Sequence, residues 1–148
     1  MGSESNAEIV RRFLERGFGA GDLSAVDEYV ASDFIEHQDG AQGVGPDAVK
    51  GVIRGLHASL SDIQLHIDDI VEAGDDVWVR MRARATNTKP IMGRPATGRS
   101  MEIQILDVIR LRDGKLVEHW GVADRLAMLQ QLGLVPRPEG RTSESRAA

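Results

Sequence analysis

Among the residues able to do chemistry, one carboxylate stands out by its neighbours. Ile103, Ile105, Asp107, Ile109 and Leu111 recur at every second position, an aliphatic row interrupted once by an acid. A carboxylate buried unpaired in such a row is costly, and desolvation pushes its pKa upward. Such a group is a candidate general acid or base near neutral pH. A buried arginine or backbone N–H beside Asp107 would give it a structural role instead. The next candidate is His119. The Asp113-Gly114 pair is a two-residue hairpin signal, and a simple ladder from it sets Ile109 opposite Glu118, Asp107 opposite Trp120 and Ile105 opposite Val122. That register turns His119 to the other face, beside Val108. A bulge near Gly121 would turn it back toward Asp107, so both orientations stay open.

Several chemistries are excluded. The 148 residues include no cysteine, which removes thiolate nucleophiles, disulfides and sulfur-ligated zinc. No G-x-S-x-G, P-loop or strand-linked G-x-G-x-x-G occurs. The four histidines, His37, His57, His66 and His119, show neither an i, i+4 pair nor H-E-x-x-H, so no metal and no cofactor is expected. His57 and His66 read as surface residues. The row Arg80, Arg82, Arg84 could meet an anionic ligand, but it reads better as a solvated or interface face paired with acids. A net charge of −5 argues against a nucleic-acid partner, and no apolar run reaches the roughly 20 residues of a membrane helix. The expectation is a soluble, cytoplasmic protein.

The elements that must position these residues follow from periodicity. Ser5 or Asn6 caps a first helix with Ile9, Val10, Phe13, Leu14 and Phe18 at three- and four-residue steps, ended by Gly19 and Gly21. A short helix carries Leu23, Val26, Tyr29 and Val30, and Asp33 to His37 is extended. Pro46 opens a third helix with Val49, Val52, Ile53, Leu56 and Leu60 on one face. From Asp62 the period becomes two, giving strands through Ile63–Ile67, Val77–Ala85, Ser100–Arg112 and Lys115 to about Val122, with a Gly/Pro-rich loop over 87–98. Asp124 caps a last helix. Helices followed by long antiparallel strands predict an α+β domain over residues 5–135, its helices covering a curved sheet and enclosing a pocket. A polar tail without a packing face, expected to be disordered, follows over 136–148.

The stretch Gly114 to Gly133, GKLVEHWGVADRLAMLQQLG, and the loop Met92-Gly-Arg-Pro-Ala-Thr-Gly-Arg99 resemble the SnoaL-like polyketide cyclase (ester cyclase) family. Asp107-Val-Ile-Arg110 and Phe34-Ile-Glu-His37 fall where that pattern has them. The resemblance implies a nuclear-transport-factor-2-like cone, assembled as a homodimer or homotetramer through its sheet. It implies cofactor-independent acid/base chemistry on a hydrophobic, polyketide-like carbonyl compound. Asp107 and His119 would be catalytic, and His37, Trp120, Ile105 and Ile109 would contact substrate. One departure stands out: the cyclases' aspartate after the Trp falls at Gly121. Asp124 lies nearby but reads as a helix cap. The alternatives are therefore a hydroxylase working with a partner reductase and a non-catalytic ligand-binding module.

Overall fold

A computed structural model describes residues 2–139. The chain opens with α1 (Asn6–Phe13), capped by reciprocal hydrogen bonds between Ser5 and Glu8. A π-helical segment, Leu14–Gly19, continues it. There Ala20 N–H bonds to the Glu15 carbonyl five residues back, the wider π turn. Phe18 consequently comes over Phe13, five positions earlier, in an edge-to-face contact with centroids 5.9 Å apart. The sequence periodicity predicts one uninterrupted α-helix here. His57 steadies the segment through Nε2, 2.8 Å from the Phe18 carbonyl.

Next come α2 (Ser24–Tyr29), β1 (Val30–Glu36), the two-residue β2 (Gly43–Val44) and α3 (Pro46–Ser59). Four long strands follow: β3 (Leu60–Ala73), β4 (Asp76–Asn87), β5 (Ser100–Arg112) and β6 (Lys115–Ala123). The last helix is α4 (Arg125–Gln131), capped by the Asp124 carboxylate on Ala127 N–H. The six strands form one sheet in the order β2-β1-β6-β5-β4-β3. All pairings are antiparallel except that of β1 with β6. The expected architecture, helices against a mainly antiparallel sheet, is the one observed.

Period-two burial gives the sheet two unlike faces. Val77, Val79, Met81, Ala83 and Ala85 of β4 are buried against the helices, while the intervening Trp78 is 57% exposed. On the outer face Arg82 forks onto Asp68 at 2.9–3.3 Å and reaches Glu102 at 3.2 Å. Arg80 reaches the same Asp68 at 3.9 Å, so the paired-acid reading holds for Arg80 and Arg82 of the arginine row, while Arg84 makes no ion pair among the described residues. The long loop after β4 hangs on Asn87, which is fully buried. Its amide donates to the Ser59 and Lys89 carbonyls and accepts from Thr97 N–H and Oγ1. The side chain therefore ties the loop to the end of α3. Residues 136–139 of the expected tail are exposed and lie outside helix or strand. Positions 140–148 of that tail fall outside the described residues. No helix among the described residues is long and apolar enough to cross a membrane.

Candidate active site

The β5–β6 hairpin decides which side chains meet. Asp113 and Gly114 have φ of 51° and 74°, the double positive φ of a tight hairpin turn, and Arg112 pairs with Lys115 as expected. The register then shifts between Arg110 and Leu111: Leu111 pairs with Leu116 but Arg110 with Glu118, leaving Val117 as the extra residue. This corrects the simple ladder. Ile109 faces His119, Asp107 faces Gly121, and Ile105 faces Ala123. A bulge does turn His119 round, though at Val117 and not near Gly121. His119 thereby joins the inner face that carries Asp107.

On that face β1 contributes a third residue. Its parallel register aligns Glu36 with His119, and both Glu36 oxygens lie 2.7–2.8 Å from His119 Nδ1. Gln38 N–H donates to Glu36 Oε1 at 2.9 Å and fixes the carboxylate. Across the ring, His119 Nε2 is 3.0 Å from Asp107 Oδ1. Neither of these two buried atoms has an aligned hydrogen-bond partner. Asp107 itself is 5% exposed. The carboxylates approach opposite edges of one imidazole, so they do not converge on a point as metal ligands would. Among the described residues no cluster of His, Asp or Glu has that arrangement.

Burial alone would lower the pKa of His119. The Asp107 and Glu36 carboxylates at its two nitrogens outweigh that and raise it to about 9. At neutral pH His119 is therefore an imidazolium, with Nδ1–H given to Glu36 and Nε2–H turned toward the cavity beside Asp107. It is a donor there and has no lone pair with which to act as a base.

The cavity under this face measures about 280 Å³. Its walls are Phe13, Leu14, Phe18, Leu65, Met81 and Ile105, among other apolar side chains, and Ile109 flanks Asp107. Asp39, Gly40, Ala41 and Arg125 also line it. Gly121 leaves the space that Asp107 fills. A Cβ there would meet Asp107 Oδ1 at 2.6 Å, His119 Cε1 at 2.8 Å and the Gln38 side-chain oxygen.

Of the residues singled out in the sequence, Asp107, His119, Ile105 and Ile109 come together on this inner face. His37 and Trp120 do not. Their rings stack on the outer face, centroids 5.0 Å apart at 10°, where His37 Nε2 lies 2.8 Å from Glu118 Oε1 and Arg110 covers Trp120 at 5.2 Å. They line an outer groove of about 780 Å³ that meets the cavity at Gln38, Asp39, Asp107, Ala123 and Arg125. The resemblance implies that both contact substrate beside Asp107; the extra residue at Val117 turns Trp120 to the outer face, and alternation along β1 turns His37 there. Glu36 was not singled out. Alternation along β1 was the available signal, since buried Phe34 and Glu36 share one side while Ile35, 41% exposed, takes the other.

A sequence model of the SnoaL-like polyketide cyclases matches residues 8–132. The chain belongs to this family. It is 28% identical over 141 residues to the aklanonic acid methyl ester cyclase DauD of Streptomyces sp. strain C5, covering 90% of this chain and 85% of that protein. Among solved structures it is similar to IdmH of Streptomyces antibioticus, a polyketide-cyclase candidate. That match has 34% identity and a TM-score of 0.75, over 88% of this chain and 99% of the other. It is also similar to AclR of Streptomyces galilaeus, a hydroxylase candidate, at 28% identity and TM-score 0.75, over 91% and 87% of the two chains. The fold is the nuclear-transport-factor-2-like one of this family.

Proposed function

We propose that this SnoaL-like protein is a cofactor-independent acid/base enzyme that closes a ring in a hydrophobic, polyketide-like carbonyl compound. The observation that carries the reading is the pair Asp107 Oδ1 and His119 Nε2, both buried, 3.0 Å apart and lacking an aligned partner. A carbonyl substrate completes both. Asp107 takes a proton from the carbon next to the carbonyl, and the electron pair moves onto the carbonyl oxygen. His119 Nε2–H donates to that oxygen as its charge develops, the kind of fixed donor that works best where water is excluded. Glu36 holds the imidazolium in place and charged. The enolate carbon then attacks a second carbonyl of the same molecule, forming the ring bond. The new alkoxide takes up the proton that Asp107 removed, which restores the site. The apolar walls keep water from quenching the enolate.

The cavity is near the lower end of the common range for ligand pockets, about 300–1,000 Å³. A multi-ring substrate therefore extends beyond the cavity only at the end where it meets the outer groove, lined by Gln38, Asp39, Ala123 and Arg125, and leaves the apolar part of that groove free. The proposal includes a homodimer formed through the outer sheet face, where Val71, Trp78, Leu106 and Val122 lie exposed, in a cytoplasmic protein.

The test is turnover of aklanonic acid methyl ester, the compound in the relative's name, by wild type and Asp107→Asn. Loss of at least about 10²-fold with unchanged folding is expected. Equal turnover would remove Asp107 from the reaction, while tight retention of the compound without product by wild type would favour a binding module. Likeness to AclR favours one second reading, hydroxylation beside a partner reductase. It predicts consumption of NAD(P)H and O₂ that ring closure does not need.

A further inference from the structure

Gln38 lies just beyond β1, and its backbone is fixed on the site. Its N–H donates to Glu36 Oε1 at 2.9 Å, its carbonyl accepts from Ala41 N–H at 3.0 Å, and the preceding His37 N–H donates to the His119 carbonyl at 3.0 Å. The side chain lines both the cavity and the outer groove and folds over Gly121. A Cβ at Gly121 would meet the Gln38 side-chain oxygen first, then Asp107 Oδ1 at 2.6 Å and His119 Cε1 at 2.8 Å. The amide thus adjoins Asp107 and His119, in space that a glycine leaves open. Among the described residues the hydrogen bonds of Gln38 are all made by its main chain, and its side chain makes none. A primary amide offers two N–H donors and an acceptor, exchanged by a half-turn of its last torsion, and carries no charge.

Ring closure needs a donor that Asp107 and His119 do not supply. In the proposed reaction His119 Nε2–H serves the enolate oxygen. When the enolate carbon attacks the second carbonyl, a carbon–carbon bond forms and the carbonyl π pair moves onto its oxygen as an alkoxide. That alkoxide takes its proton from Asp107, so it forms within hydrogen-bond reach of the Asp107 carboxyl. A donor that stabilises it must therefore adjoin Asp107. Two other polar side chains of the lining are placed elsewhere. Arg84 lies five residues along β4 from Val79, which faces Asp107, roughly 16 Å at the rise of a strand. Arg125 is seated against the Asp39 carbonyl and Gly40. Gln38 adjoins the carboxylate directly.

We propose that Gln38 is a catalytic residue of the ring-closing step, its amide N–H donating to the second carbonyl of the substrate as that oxygen becomes an alkoxide. This rests on the reading of the cavity as a site of enolate chemistry, and the two steps can be assayed apart. The full chain and its variants are incubated with aklanonic acid methyl ester in D₂O. Chromatography with mass detection then follows deuterium in the unreacted ester and the appearance of cyclised product, each above the uncatalysed rate. Gln38→Met keeps the length of the side chain over Gly121 and removes the donor. It should lower ring closure by about 10²-fold at an unchanged thermal midpoint. Deuterium should then accumulate in the unreacted ester, because enolate that fails to close is reprotonated. Gln38→Glu, which keeps the shape but sets an acceptor there, should behave likewise. Asp107→Asn should lose deuterium uptake and closure together, which separates this role from that of the base. Closure by Gln38→Met at the wild-type rate, or loss of closure with no deuterium in the ester, would overturn the role of Gln38. Absence of both uptake and closure in wild type would overturn the enolate reading with it.

Discussion

Glu36→Gln removes one of the two charges that hold His119 protonated, and its consequences can be worked out in sign and size. The wild-type imidazole is raised from an ordinary 6.5 to about 9. Folding therefore tightens proton binding at this ring, which corresponds to about 3 kcal/mol of stability. Because the folded pKa is the higher one, that contribution is fully present below pH 6.5 and is lost as pH rises through about 9. Urea denaturation of wild type between pH 6 and 10 should show falling stability across this window. A His119→Asn reference, lacking the titrating ring, should show a flatter profile. In Glu36→Gln the carboxylate at Nδ1 becomes a neutral amide, and the charge of Asp107 alone opposes desolvation. The decline should then begin at lower pH and be smaller in total. Ring nitrogen shifts in a histidine-optimised NMR titration give the pKa directly, and it should fall toward its ordinary value in the variant. Turnover should fall at the same lower pH, because the neutral ring cannot present the same charged donor to an enolate. A wild-type His119 titrating near 6.5, or a variant titrating with wild type, would refute the argument that the two carboxylates overcome burial.

Three further perturbations probe the geometry. Gly121→Ala drives a Cβ against Asp107 Oδ1 and His119 Cε1 at 2.6 and 2.8 Å; overpacking of this kind costs about 1–3 kcal/mol, and turnover should fall more than stability does, measured on the same preparation. Asn87→Ala strips the partners from four polar groups around a fully buried side chain, and calorimetry should show a loss of roughly 2–4 kcal/mol. Val122→Glu places a charge on the exposed outer face, where Val122 is 72% exposed; light scattering should find a dimer for wild type and a monomer for the variant, and a monomeric wild type would remove the dimer proposal.

The inner and outer faces of β4 and β5 were legible because each strand alternates strictly. Val77 to Ala85 and Ile103 to Leu111 needed only period two to be placed in the core. Asp107 was legible for the same reason, as the one acid in an apolar row. The hairpin turn was equally plain, but the bulge three residues after it was not. Lys115, Leu116 and Val117 carry no glycine or other local signal that one of them must go unpaired. A one-residue slip exchanges the faces of everything beyond it, so the same uncertainty left His119 open and misplaced Trp120. His37 was displaced from the pocket by alternation on β1, which also turns Glu36 inward. The π turn was illegible for a related reason: Phe13, Leu14 and Phe18 fit an α-helical stripe nearly as well as the i, i+5 contact that forms.

The bulge at Val117 therefore has a chemical consequence. Without it His119 would lie on the outer face, and Asp107 would be a lone buried acid facing an indole. With it the carboxylate gains an imidazolium at 3.0 Å, held from behind by Glu36, and faces a glycine that leaves it room. Burial then works on a group of three charges in place of one. Two carboxylates secure the cation against desolvation. A carboxylate beside a fixed donor is what removal of a proton next to a carbonyl requires. The roles given to the pair in the proposed ring closure rest on this arrangement: Asp107 would accept the proton and His119 would stabilise the charge that its removal creates.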